Sequence, residues 1–216
     1  MPVDLERTID DELRLLLAEF DASRSVEDDA RICGAMRTLA HSDVDGYARA
    51  LARLESPSAR SDAIEPLVLE ERFDPSFEPI VDTHADLLDA ELATHGEPGS
   101  DAAYQAALGY LVLGDISSET ATPEILDRLR PRAEALLRHR HPDVRAAGVA
   151  LVADFASKTD ARSYESLRVV LETDPDPVVR DAAYSELDFF GAVPAGVRRP
   201  VRPRWFRGLR RYLAGG

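Results

Sequence analysis

Four carboxylates at helical spacing are the first feature of this sequence that could do chemistry. They follow one another at intervals of 4, 4 and 3 residues and are Glu78, Asp82, Asp86 and Asp89. Side chains at these intervals share one face of a helix, and like charges so placed repel by about 0.2–0.5 kcal/mol per pair. Such a row can bind a basic partner or the chain's own C-terminal arginines. The alternative is the solvated outer face of an acidic protein.

The charge of the whole chain agrees with a basic partner. The 216 residues include 40 acidic and 26 basic side chains, and the net charge is −14. Between positions 62 and 127 there are sixteen acids and a single base, Arg72. Binding of nucleic acid depends on basic side chains that displace counterions from phosphates. We therefore expect no nucleic-acid partner, and expect the acidic surface of residues 62–127 to bind another protein with a basic surface.

The C-terminal segment 198–216 has the opposite charge. It contains seven arginines and no acid. On a helical projection its apolar residues form one stripe and most of its arginines lie elsewhere, which is typical of a basic amphipathic helix. Such a helix can cap the last helices of the fold, bind a groove in a partner protein, or bind an anionic membrane surface. The candidate contact residues are Arg204, Trp205, Phe206, Arg207, Arg210 and Arg211.

Other reactive side chains give no recognisable catalytic or metal-binding pattern. The single cysteine, Cys33, cannot form an internal disulfide, and its apolar helical context is typical of a buried thiol. His139 and His141 have no third ligand at helical spacing. The sequence contains no phosphate-binding loop, dinucleotide fingerprint or nucleophile elbow. We therefore predict no catalytic residue, no metal site and no cofactor.

The elements that must position these residues are helices. Nearly every segment has an apolar period of 3.6 residues, which predicts an all-α fold. We expect one domain over residues 1–197, followed by the basic amphipathic tail 198–216. The helices are expected to form about five antiparallel pairs, over residues 3–40, 43–73, 77–114, 122–156 and 160–190.

Three prolines are expected to shape the helices, one as a break, one at a helix start and one as a kink. Pro57 is expected to break the chain, with Ser61 and Asp62 capping the helix that follows. Pro123 is expected at the first position of a helix that runs to about Arg140. Pro131 is expected to kink that helix.

Two segments of the second half repeat one pattern at an offset of 35 residues. Both begin with a proline and continue through Val-Arg-x-Ala, and the residues that define them are Asp143, Val144 and Arg145 in the first copy and Asp176, Pro177, Val179 and Arg180 in the second. This pattern resembles the second helix of a HEAT repeat, in particular the short bacterial HEAT-like repeat of phycobilisome-lyase type. Segments 101–107 and 29–35 resemble degenerate copies.

The resemblance implies an α–α superhelix, a solenoid in which each helix pair packs on the next. It implies a non-catalytic scaffold for protein–protein interaction, with motif arginines that reach acids between repeats. The alternatives are a toxin-neutralising immunity protein, a peripheral membrane adaptor anchored by the tail, or an enzyme similar to bilin lyases or to alkylpurine DNA glycosylases. The acidic body disfavours the glycosylase, which needs a basic groove for DNA. A cytoplasmic location is expected, because the sequence has no secretory signal and no span of about 20 apolar residues.

Overall fold

A computed structural model describes residues 8–69, 73–95, 101–114, 116, 122–156 and 161–200. Within these ranges the chain forms ten α-helices, one 3₁₀ turn over Pro75–Phe77 and no strand, so the predicted all-α class is confirmed. The helices are α1 Ile9–Ala22, α2 Val26–Ser42, α3 Val44–Ala52, α4 Pro57–Val68, α5 Glu78–His95, α6 Asp101–Leu113, α7 Pro123–Leu136, α8 Pro142–Asp154, α9 Ala161–Thr173 and α10 Pro177–Phe189.

Short polar side chains begin most of these helices. The side chain of Thr8 accepts a hydrogen bond from the backbone of Asp11 at the start of α1, where the two residues form a capping box. Ser25, Asp43 and Thr122 cap α2, α3 and α7 in the same way. Each cap pairs one of the backbone N–H groups that a helix start leaves without an intrahelical partner.

One apolar core runs through the structure from α1 to α10. Its members include Leu13 on α1, Tyr47 on α3, Phe77 before α5, Val149 on α8 and Leu187 on α10, each at most 1% exposed. The buried Tyr47 hydroxyl donates a hydrogen bond of 2.8 Å to the carbonyl of Ala63 on α4. The described helices therefore share one hydrophobic interior.

The helices pack in a regular order along the chain. Consecutive helices pack as α1 with α2, α5 with α6, α7 with α8, and α9 with α10. Each even-numbered helix packs on the next even-numbered helix, from α2 through to α10. Among the odd-numbered helices, α1 packs on α3 and α3 packs on α5. In contrast, α5, α7 and α9 have almost no backbone contact with one another within the described residues. The surface that contains α5, α7 and α9 is therefore the more open side of the molecule.

Two of the expected helix boundaries are wrong. Pro57 does not break the chain but is the first residue of α4, which Ser56 caps through the N–H of Ala59; proline fits there because its missing N–H would have no partner. α7 contains Pro131 and ends at Leu136 rather than near Arg140. The chain then tightens into i→i+3 hydrogen bonds, including His139 N–H to the carbonyl of Leu136 at 3.0 Å.

Candidate functional site

The row of four carboxylates, Glu78, Asp82, Asp86 and Asp89, lies on the surface of α5 and is called the acidic row below. The opposite face of α5 buries Ile80, Val81 and Leu88 in the core. Asp86 is the most exposed member, with 70% of its side chain accessible. The helical periodicity of the sequence puts all four carboxylates on the face of α5 away from the core, and the packing of the helices makes this face part of the open side.

The neighbouring helix α7 supplies cations to the acidic row. Nη2 of Arg128 lies 2.7 Å from Oε2 of Glu78, and its Nε lies 3.2 Å from Oδ2 of Asp82. These hydrogen bonds, the one to Glu78 above all, raise the pKa of the Arg128 guanidinium. Thr122, the cap of α7, donates a further hydrogen bond of 3.1 Å to Glu78. Arg128 therefore joins the first half of the acidic row to the start of α7.

One turn further along α7, Arg132 forms ion pairs with the second half of the row. Its Nη2 lies 2.6 Å from Oδ1 of Asp86, and its Nη1 donates to Asp89. Asp89 also accepts a hydrogen bond from the hydroxyl of Tyr110 on α6, whose pKa is raised by burial and by this carboxylate. Two arginines against four carboxylates leave the row with a net charge of −2.

The sequence alone pointed to a partner or the C-terminal tail as the source of cations for the row. The structure places Arg128 and Arg132 there instead. Their spacing of four residues on α7 matches the spacing of the row, and this is the signal that sequence reasoning missed. The acidic row is thus a partly neutralised surface between α5 and α7, with Asp86 reaching furthest into solvent.

The tail contacts predicted at Arg204, Trp205, Phe206, Arg207, Arg210 and Arg211 lie outside the described residues. The described chain before them covers the end of the last helix pair. Arg168 on α9 donates to the carbonyl of Ala192 at 3.4 Å, and Val193 and Val197 pack on the core. A cap on the last helices, expected from the tail, is therefore at least partly built from residues that precede it.

Arg199 fixes the end of this covering segment on α10. Its Nε lies 2.7 Å from Oδ1 of the buried Asp181, and its Nη2 donates to the hydroxyl of Ser185 at 2.7 Å. Its guanidinium also lies over the ring of Tyr184, 5.5 Å from the centroid. The ion pair with Asp181 raises the pKa of Arg199.

The repeated motif begins α8 and α10. Val144 and Val179 are fully buried, and Asp176 caps α10 through the N–H of Val178 at 2.8 Å. In the first copy, Nδ1 of His141 makes the equivalent cap to the N–H of Asp143 at 3.2 Å. Proline is the first helical residue in both copies, Pro142 and Pro177.

The motif arginine makes one recurrent contact. Nη1 of Arg145 donates to the carbonyl of His139, six residues earlier, at 2.9 Å, and Nη1 of Arg180 donates to the carbonyl of Asp174, again six residues earlier. Arg60 on α4 repeats this contact with the carbonyl of Leu54 at 3.1 Å. The start of α4 is therefore a third example of the same local structure.

This third copy was not predicted, because Pro57 was expected to break the chain. The signal was present: Ser56, Pro57 and Arg60 have the same cap, proline and arginine spacing as Asp176, Pro177 and Arg180.

Two of the three motif arginines also reach a carboxylate on the next odd-numbered helix or just after it. Arg145 holds Asp174, at the end of α9, through Nε at 2.7 Å and Nη2 at 3.0 Å. Arg60 lies 3.4 Å from Glu91 near the end of α5. The first of these ion pairs is buried and the second partly buried; they connect α8 to the residue after α9, and α4 to α5.

The other side chains considered for chemistry are Cys33, His139 and His141, and the structure gives none of them the surroundings of a reactive group. Burial raises the pKa of the Cys33 thiol, which is the opposite of what an activated nucleophile needs. His141 caps α8 and His139 accepts from its N–H at 3.1 Å. Within the described residues, no three His, Cys, Asp or Glu side chains are grouped as metal ligands. No helix among them is long and apolar enough to cross a membrane.

An open groove of about 470 Å³ separates α7 from α9. Leu137, Val169 and Val170 supply apolar surface to it, and a single described ion pair, Arg162 to Glu134 at 2.9 Å, joins the two helices across it. The space between α5 and α7 is bridged by four ion pairs, whereas this space is left open.

Comparison with known proteins finds no match to a family model, to a curated protein or to a solved structure.

Proposed function

We propose that this protein is a non-catalytic HEAT-like scaffold that binds a basic protein through the acidic row and the adjoining surface of α7. The observation that carries the proposal is the position of the row. Four carboxylates line the open side of the molecule, and among the described residues two arginines, Arg128 and Arg132, face them. A toxin-neutralising immunity protein is one form that such a scaffold could take.

Repeated local structure supports the solenoid part of the proposal. The starts of α4, α8 and α10 share a cap, a proline and an arginine that bonds the carbonyl six residues earlier. The even-numbered helices stack one on the next, as the helices of stacked pairs do in a solenoid. The ion pair of Arg60 links α4 to α5, and that of Arg145 links α8 to the residue after α9, so each supports one junction between successive helix pairs.

Electrostatics supports the basic partner. The row keeps a net charge of −2 after its internal ion pairs, and the chain before residue 198 carries −21. A basic surface is therefore steered toward this body, and its cations can share the exposed carboxylates with Arg128 and Arg132. Asp86, with 70% of its side chain accessible, is the contact we expect to matter most.

Affinity purification from the native cells at low and high salt tests the proposal. The variant Asp82→Asn/Asp86→Asn removes two carboxylates of the row. The matched control Glu27→Gln/Asp45→Asn removes the same charge from exposed positions on α2 and α3. Exposed ion pairs contribute about 0.2–1 kcal/mol each, so we expect about tenfold weaker binding for the first variant and little change for the control.

Recovered partners are quantified by mass spectrometry. We expect a basic protein that is retained at low salt and lost at high salt. A partner retained equally at both salt concentrations, or lost equally from both variants, contradicts a role for the acidic row.

A further inference from the structure

The groove between α7 and α9 combines exposed apolar surface with a charged rim. Val169 lies half exposed in it, beside Leu137 and the nearly buried Val170. Its charged lining contains three acids and two arginines, namely Glu134, Glu165, Asp174, Arg138 and Arg162. A volume of about 470 Å³ lies within the range of ligand pockets, and it accommodates a few large side chains rather than a whole helix.

The C-terminal sequence has the complementary composition. Residues 201–216 contain five arginines and no acid, together with an apolar stripe that includes Trp205, Phe206 and Leu209. Apolar side chains gain about 25 cal/mol for each Å² that they remove from water. The groove offers apolar contact to this stripe, and the exposed carboxylate of Glu165 at its rim can receive an arginine beside the stripe.

The described chain also ends within reach of the groove. Arg199 is held by Asp181, near the start of α10. α9 and α10 pack together and are joined by only three residues, so they run antiparallel, and Asp181 lies level with the last turns of α9. Val169 lines the groove in those turns. The six residues from Arg199 to Trp205 span up to about 20 Å, and packed helix axes lie about 8–10 Å apart.

We propose that residues 201–216 bind back onto the protein, with the side chains of Trp205 and Phe206 in the groove between α7 and α9. This contact is intramolecular and does not depend on the acidic row or on any partner. Binding in the groove covers the exposed Val169 and holds the basic segment 201–216 against the end of the acidic body.

Tryptophan fluorescence of the full chain tests this proposal directly, because Trp205 is the only tryptophan. We expect the wild-type protein to emit at the short wavelength of a buried indole and to resist quenching by acrylamide. In Val169→Arg the emission should shift to that of an indole in water, with several-fold stronger quenching. The control Val26→Arg makes the same change at an exposed position on α2 and should behave as the wild type.

Disulfide trapping gives a second measurement that does not need Val169→Arg to fold. In a Cys33→Ser background, Ser166→Cys in the groove should form a disulfide with Phe206→Cys. Ser23→Cys, at the end of α1, should not form one.

Four results would overturn the proposal. The first is water-exposed emission in the wild type, including emission that shifts only when anionic phospholipid vesicles are added. The second is a buried emission that survives Val169→Arg. The third is an emission that depends on protein concentration, which would place the segment on a second copy. The fourth is equal disulfide trapping at Ser166→Cys and Ser23→Cys.

Discussion

Replacing Asp174 by alanine should destabilise the protein more than any single change in the acidic row. Asp174 receives two hydrogen bonds from Arg145, at 2.7 and 3.0 Å, and one from the N–H of Asp176 at 2.8 Å. Only 11% of the Arg145 side chain and 5% of the Asp174 side chain are accessible. Without its carboxylate partner, the Arg145 guanidinium stays buried, and the carbonyl oxygens of His139 and Arg140 are the acceptors left to it among the described residues.

The size of the loss follows from this burial. Breaking a buried ion pair by removing one partner costs about 3–5 kcal/mol, a large part of the roughly 5–15 kcal/mol by which domains are stable. The comparison variant is Glu78→Ala. It breaks an ion pair with Arg128 whose side chains are 22% and 41% accessible, and we expect a loss of at most about 1 kcal/mol.

Urea unfolding followed by circular dichroism measures both variants on the same scale. The double variant Arg145→Met/Asp174→Leu should recover about half or more of the loss, because apolar residues of similar volume often replace a buried ion pair at little cost. The reasoning fails if Asp174→Ala and Glu78→Ala lose the same free energy of unfolding. It also fails if the double variant is as unstable as Asp174→Ala.

Further predictions concern a buried histidine and two glycines. Burial lowers the pKa of His84 from 6.5 to about 4, and the charge of Arg60 adds to this. The unfolded chain therefore binds the proton first, so stability should fall by about 3 kcal/mol as the pH drops from 6.5 to 4. In His84→Leu, urea unfolding at several pH values should show a smaller fall in the free energy of unfolding between pH 6.5 and pH 4. Gly148→Ala should lower the midpoint of thermal unfolding, because a Cβ there would lie 2.8 Å from Cβ of Leu136, and such overpacking costs about 1–3 kcal/mol. Gly34→Ala should raise that midpoint, since nothing lies within 4 Å of its Cβ position and alanine favours the helix by about 1 kcal/mol. Equal shifts for the two glycines would contradict the packing seen at α7 and α8.

Local chemistry made much of the fold predictable. Apolar residues at a 3.6-residue period identified the helices, and Pro123 at the first helical position identified the start of α7. The error at Pro57 came from the same local rule, because proline both ends helices and begins them. The spacing of Ser56, Pro57 and Arg60 was the deciding signal, and the contact of Arg60 with the carbonyl of Leu54 shows what that spacing does in the folded chain.

By itself the sequence determined the all-α class and the common face of the four carboxylates on α5, since both depend on neighbours within a few residues. Only the tertiary structure decided which cations meet those carboxylates. Arg128 and Glu78 are 50 residues apart in the chain, and their contact depends on how α5 and α7 lie across the open side of the molecule. The groove beside α9 has the same origin, because α8 stacks on α10 while α7 and α9 stay apart. Such distances between helices are set by the packing of the whole core, so no local pattern in the sequence contains them.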